Sequence, residues 1–319
     1  MWRFCELTLQ ASSIRGAHRE RRPTEQAAQN VHTPQRMQAT DANPRTKPSS
    51  DSAPRVRYWR PSGLPDVEVL ERRDTPAFRG YSSLYAFAFQ TASVPTRLHY
   101  RGRLHDVPPG AIMLCEPGET FGFADPSSVI ILLASPDMIS RVALEHFGSV
   151  KPVHWHTQVV RNSPFSEELL ATIGALRNHR SQDADAVAVA SGFIASSITQ
   201  FREPTTEAVT SDLPKPGLAR ARDMLHARYR EPVTLLDLVV TSESTSKQRL
   251  IRSFRREFGL TPHQYLTHLR LARARDLMRQ GHDCGQAAHA VGFYDQSQMN
   301  RHFIKHVGIT PGMYAKASD

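Results

Sequence analysis

Leu250-Ile251-Arg252-Ser253-Phe254 is answered 49 residues later by Met299-Asn300-Arg301-His302-Phe303. The echo continues: Phe258-Gly259-Leu260-Thr261-Pro262 matches Val307-Gly308-Ile309-Thr310-Pro311, and Tyr265 matches Tyr314. Two copies are too few for a solenoid, so the pattern reads as a paired motif. Each copy predicts a short helix, a turn and a second helix. In the first, Thr234 caps a helix through Leu235, Leu236 and Val239, and Ser246 caps one that buries Leu250, Phe254 and Phe258. In the second, Asp283 caps a helix through Cys284, Ala287, Ala288 and Val291; after the turn at Gly292, Asp295 caps one that buries Met299, Phe303 and Val307. Helix, short turn, helix is the helix-turn-helix plan.

Between the copies, Pro262 to Gln280 predicts one long helix with two adjoining apolar stripes. At ~1.5 Å per residue it is a strut roughly 28 Å long. Successive faces of the DNA major groove lie ~34 Å apart, so the strut suits two recognition helices entering one duplex. Arginine offers paired donors to guanine, and glutamine pairs with adenine. Gln248, Arg249 and Arg252 in the first copy, and Gln296, Gln298 and Arg301 in the second, are the candidate base readers. Lys247, Arg255, Arg256 and Lys305 suit phosphates, which position a protein without carrying sequence information. Asp295 and Ser297, at the start of the second recognition helix, complete the candidate DNA-binding set.

The charge agrees with this placement. The 319 residues carry a net charge of +9. Residues 215–319 hold 17 Lys/Arg against 9 Asp/Glu, residues 58–214 hold 13 against 17, and residues 1–57 hold 10 against 5. The basic excess lies with the repeat, which makes nucleic acid the expected partner. Three separated cysteines, Cys5, Cys115 and Cys284, exclude a disulfide scaffold and fit a reducing cytoplasm. No run of ~18 apolar residues suggests a membrane span, and the N-terminus lacks the pattern of a secretory signal.

Residues 1–57 are polar and aperiodic and read as a disordered tail. From 58 to 134 short apolar segments alternate with Gly and Pro, the pattern of a β-sandwich or small barrel. Candidate strands are 83–89, 111–115, 120–123 and 129–133, with a hairpin over 99–105 turning at Gly102. Helices are expected at 136–147, 164–178 and 184–201. The last is apolar enough to pack on the barrel or on the partner in a homodimer. Residues 203–216 read as a linker ahead of a DNA-binding domain at 217–316.

The second copy carries Ala287-Ala288, Gly292-Phe293, Asp295, Ser297, Arg301, Phe303, Gly308, Thr310-Pro311 and Tyr314. On these residues 215–316 resemble the DNA-binding domain of the AraC/XylS transcription regulators, and 58–202, more weakly, resembles their cupin-like sensor domain. The resemblance implies an α+β chain of two domains: a cupin-like β-barrel with accessory helices, then an all-α domain of seven helices with two helix-turn-helix units on a long helix. It implies a sequence-specific DNA-binding transcription factor, an effector-responsive activator and not an enzyme. Its partners would be double-stranded DNA, a small-molecule effector and RNA polymerase. Tyr85, Phe87 and His99 are the candidate effector contacts, provided their sides of the strands face inward. The alternatives are a metal-dependent cupin enzyme and a ligand-independent dimerising repressor. Cupin metal sites need a close histidine pair, and the segment Ser82 to Phe87 has none; His154-Trp155-His156 has ligand spacing but no carboxylate shortly after it. No metal or other cofactor is expected. The first unit departs from the family: Val239 to Ser246 has no glycine and is one residue longer than usual. A turn needing φ > 0 is costly without glycine, so the first helix is expected to end early or tilt, weakening base reading by Gln248 and Arg252.

Overall fold

The computed structural model describes residues 55–161, 164–178, 183–203 and 214–317. Ten strands come first: β1 (Arg55–Trp59), β2 (Val67–Thr75), β3 (Phe78–Tyr81), β4 (Tyr85–Gln90), β5 (Thr96–Tyr100), β6 (Arg103–Val107), β7 (Ile112–Cys115), β8 (Thr120–Phe123), β9 (Ser127–Ala134) and β10 (Val159–Val160). Helix α1 (Pro136–Phe147) stands between the last two, and α2 (Pro164–Asn178) and α3 (Asp183–Phe201) follow. The strands form two antiparallel sheets, ordered β1-β2-β9-β4-β7-β10 and β3-β8-β5-β6. The expected class holds: a sheet-rich N-terminal part and an all-α C-terminal part.

The larger sheet buries both faces. Leu84, Ala86, Ala88, Met113, Ile131 and Leu133 meet Leu98, Tyr100 and Phe123 of the smaller sheet. Alternate residues, Tyr85, Phe87, Ile112, Leu114 and Leu132, pack instead with Met138 of α1, Leu169 of α2 and Phe193 of α3. This is the two-residue period of a strand with apolar matter on each side. Trp155 fills the helix-side core, edge-on to Tyr85 and Phe87 at 5.7 and 5.8 Å. The apolar face of α3, with Ala186, Ala190, Ile194 and Ile198, is used by this same core.

One expectation changes. Strand β1 starts at Arg55, three residues before the predicted domain edge at 58. It pairs with its neighbour β2, and Val56 and Tyr58 pack against the C-terminal helices, distant contacts that local composition does not report. The rest of the predicted tail, residues 1–54, lies outside the described residues, as does most of the predicted linker at 203–216.

Seven helices follow: α4 (Pro216–Ala227), α5 (Leu235–Thr241), α6 (Lys247–Phe258), α7 (Pro262–Arg279), α8 (Cys284–Ala290), α9 (Gln296–Val307) and α10 (Pro311–Lys316). They build two cores. Leu218, Leu225, Leu238, Leu250, Phe254 and Tyr265 make one, and Leu271, Met278, Ala288, Met299, Phe303 and Tyr314 make the other. Helix α7 contributes to both, as a strut must.

Candidate nucleic-acid interface

The two helix-turn-helix units superpose in the chain without a gap. Helices α5 and α8, then α6 and α9, start and stop at positions 49 apart. Their caps correspond. Thr234 and Asp283 each accept backbone N–H groups at the first helix, and Ser246 and Asp295 accept from Arg249 and Gln298 at the second. Gly259 and Gly308 close the recognition helices in the left-handed region, with φ of 73° and 93°.

The expected shortening of the first helix does not occur. Glu243 stands where the second unit has Gly292, and both are left-handed, with φ of 56° and 88°. The turn therefore keeps its geometry at the cost of a strained non-glycine residue, of order 1–2 kcal/mol. Helix α6 begins in the same register as α9.

Lys247, Gln248, Arg249, Arg252, Arg255 and Arg256 are exposed on α6, and Gln296, Ser297, Arg301 and Lys305 on α9. Asp295 and Gln298 are half-buried, and both serve their own turn: Asp295 accepts from the Gln298 amide, and the Gln298 side chain accepts from the Tyr294 amide at 3.0 Å. Tyr294, in the turn after Gly292, stands 86% exposed beside the start of α9. Aromatic residues in turns carry no periodic signal, so the sequence marks the turn but not a role for Tyr294.

The predicted effector residues do not converge. Tyr85 and Phe87 face the helix-side core, not the space between the sheets, and the Tyr85 hydroxyl donates to the Val153 carbonyl at 2.8 Å. His99 lies on the outer face of the smaller sheet, where Arg79 donates to its Nε2 at 2.6 Å. Burial, then the nearby Arg79 and Arg97, push the His99 pKa down, which fits a neutral ring accepting that bond. His154 and His156 diverge: His154 meets Glu116 at 2.8 Å, while His156 meets the Phe201 carbonyl. The carboxylate missing near them in sequence is supplied to His154 alone, from the end of β7.

A different residue stands out between the sheets and the C-terminal helices. Arg72 of β2 is only 7% exposed, and its Nε has no hydrogen-bond partner among the described residues. Burial lowers its pKa to about 10, and its guanidinium lies 4.1 Å from the Phe78 ring centroid. It lines a cavity of about 70 Å³ with Leu70, Phe121, Ile131, His268 and His306. Buried cations without a carboxylate partner are rare and costly.

The same seam holds a buried ion cluster. Glu68 of β2 is fully buried, 2.7 Å from Arg275 and 3.3 Å from Arg279 of α7, and accepts from the Tyr314 hydroxyl at 2.7 Å. Burial opposes its charge, but the arginines and the tyrosine outweigh it and hold its pKa below the ordinary glutamate value. Tyr58 stacks on Tyr314 at 4.9 Å.

Comparison with known proteins agrees with the geometry. Residues 240–317 match a family model described as a helix-turn-helix domain. The uncharacterized HTH-type transcriptional regulator YbfI of Bacillus subtilis is 29% identical over 199 residues, covering 60% of this chain and 70% of that protein. The HTH-type transcriptional activator RhaS of Pectobacterium carotovorum is 26% identical over 159 residues, 49% of this chain and 57% of that one. A transcriptional regulator from Chromobacterium violaceum, described by its AraC-type DNA-binding domain, matches in structure with a TM-score of 0.30 at 29% identity, over 32% of this chain and 92% of that one. The C-terminal helices thus carry a helix-turn-helix domain similar to those of these transcriptional regulators.

Proposed function

We propose that this protein is a sequence-specific transcription factor that reads two neighbouring segments of duplex DNA with α6 and α9. The observation that carries it is the pair of exposed polar faces, Gln248-Arg249-Arg252 and Gln296-Ser297-Arg301, on helices in register 49 residues apart. Arg252 and Arg301 have no ion-pair partner among the described residues, so both are free to meet base edges. Selection of bound sequences from a random DNA pool with the full chain tests this. Two recognised patches about 10 base pairs apart are expected; a single patch, or no enrichment, would overturn it.

The β-rich domain, residues 55–202, is the proposed sensor. Arg72 supports this: an unpaired buried guanidinium against a largely apolar cavity suits a small effector with an anionic group. A ligand there would touch both β2 and α7, and so would shift the balance between arrangements of the DNA-binding helices. A thermal-shift screen of small carboxylates should find stabilisers of the wild type that Arg72→Leu does not answer; equal responses in both would remove Arg72 from the site. Activation through RNA polymerase in the cytoplasm follows the family pattern. Dimerisation would need a surface other than the buried face of α3.

A further inference from the structure

A second cavity, of about 180 Å³, lies between the outer face of the smaller sheet and the C-terminal end of α6. Its walls carry Arg79 of β3, His99 of β5, Arg101 of the β5–β6 turn, and Arg255 and Arg256 of α6. No carboxylate side chain lines it. Arg101 is already shared by Glu116 at 2.8 Å and Glu119 at 3.5 Å. Arg79, Arg255 and Arg256 have no ion-pair partner among the described residues. Arg79 instead donates to the Gly259 carbonyl at 2.9 Å and to the ring of His99. Arg255 is close enough to depress the Arg79 pKa, although burial is the larger cause.

Three guanidinium groups around one space repel one another unless an anion joins them. We propose that this cavity binds a phosphate group, held between Arg79 on one side and Arg255 and Arg256 on the other. Planar guanidinium forks match phosphate oxygens in pairs. A phosphate monoester carries about −1.5 to −2 at neutral pH, which balances three cations better than a monoanion does. Water takes about 30 Å³ per molecule in the liquid, so the space holds several waters, or one phosphate with part of the group it is attached to. The walls are firm: the Thr120 hydroxyl donates to the Phe258 carbonyl, and a Cβ on Gly102 would stand 3.2 Å from the Glu257 carbonyl oxygen. A phosphate here joins β3 to the foot of the first recognition helix. Two sources share this chemistry, the DNA backbone and a soluble phosphorylated molecule.

Inorganic phosphate on the full chain is the probe, with chloride added to hold ionic strength constant. The melting temperature should rise by about 2–4 °C at ten times the dissociation constant. Arg255→Gln, on an exposed side chain, and Arg79→Gln should each lose the shift. No shift in the wild type, or the same shift in both variants, overturns the site. Phosphate that displaces bound DNA identifies the backbone as the source; phosphate that stabilises the protein without displacing DNA identifies a soluble ligand. The second arm alone rests on the DNA-reading function: a chain that answers phosphate but binds no DNA keeps this site and fails that function.

Discussion

Glu243 holds a backbone conformation that the equivalent place in the second unit gives to Gly292. Its carboxylate pairs with Arg220 at 2.7 Å, but both side chains are largely exposed, and such pairs contribute little. The left-handed strain is thus mostly uncompensated. Glu243→Gly should relieve roughly 1–2 kcal/mol of strain and lose about half of that to the freer unfolded chain, a net gain near 0.5–1 kcal/mol in urea unfolding. An unchanged midpoint would mean that the turn relaxes around Glu243. For recognition, Arg301→Ala should weaken specific DNA binding by ~1–3 kcal/mol and relax preference at one base pair. Arg252→Ala should cost a similar amount, because α6 keeps the register of α9. Equal losses on specific and random DNA in a mobility-shift series would make either arginine a phosphate contact.

Elements defined by local signals were legible in the sequence. Ser135-Pro136 and Gly148 bound α1 where expected, because a side-chain cap and a left-handed glycine act within a few residues. The caps of both helix-turn-helix units were readable for the same reason. Strands β2 and β3 were not legible, since most of their partners in β9 and β8 lie more than forty positions away; β1, whose partner β2 is nearer, was hidden by its polar, Arg-rich composition. The direction of Tyr85 and Phe87 was also hidden. In β4 both alternating sets are apolar, so the two-residue period shows that two faces are buried but not which face meets which layer. Arg72 and Arg79 gave no signal because each acquires its meaning from elements distant in the chain. At Gly292 sequence and structure agree on more than a turn: an added Cβ would lie 2.5 Å from the Arg230 carbonyl oxygen, at φ 88°. Gly292→Ala should therefore destabilise by at least about 2 kcal/mol in urea, since left-handed strain and a backbone clash combine. A smaller loss would show that the segment at Arg230 yields.

Across the whole molecule, charge and burial meet where β2 packs on α7. Glu68→Ala would leave Arg275 buried without its carboxylate, while Arg279 keeps Asp276, and should cost ~3–5 kcal/mol. Because the folded pKa of Glu68 is lowered, its contribution is complete above the unfolded value and is lost as pH falls through the folded one. The histidines of the same seam act over a higher range. Burial, followed by neighbouring cations and rings, lowers the pKa of His268 to about 3 and of His306 to about 4. The unfolded chain takes up these protons first, so stability should begin to fall below about pH 6.5 and keep falling toward pH 4. His268→Gln should flatten urea midpoints between pH 7 and 4.5; an unaltered slope would assign the effect to other groups. The 18-residue helix α7, shared by both cores, has a consequence on the DNA side. A single stiff helix between two readers makes the protein sensitive to length as well as to sequence. One base pair added between the recognised patches moves one of them by ~3.4 Å and turns it by about a tenth of a helical repeat. Operators should therefore tolerate substitutions in the intervening bases yet lose more than about tenfold in affinity, or 1.4 kcal/mol, when a base pair there is inserted or deleted.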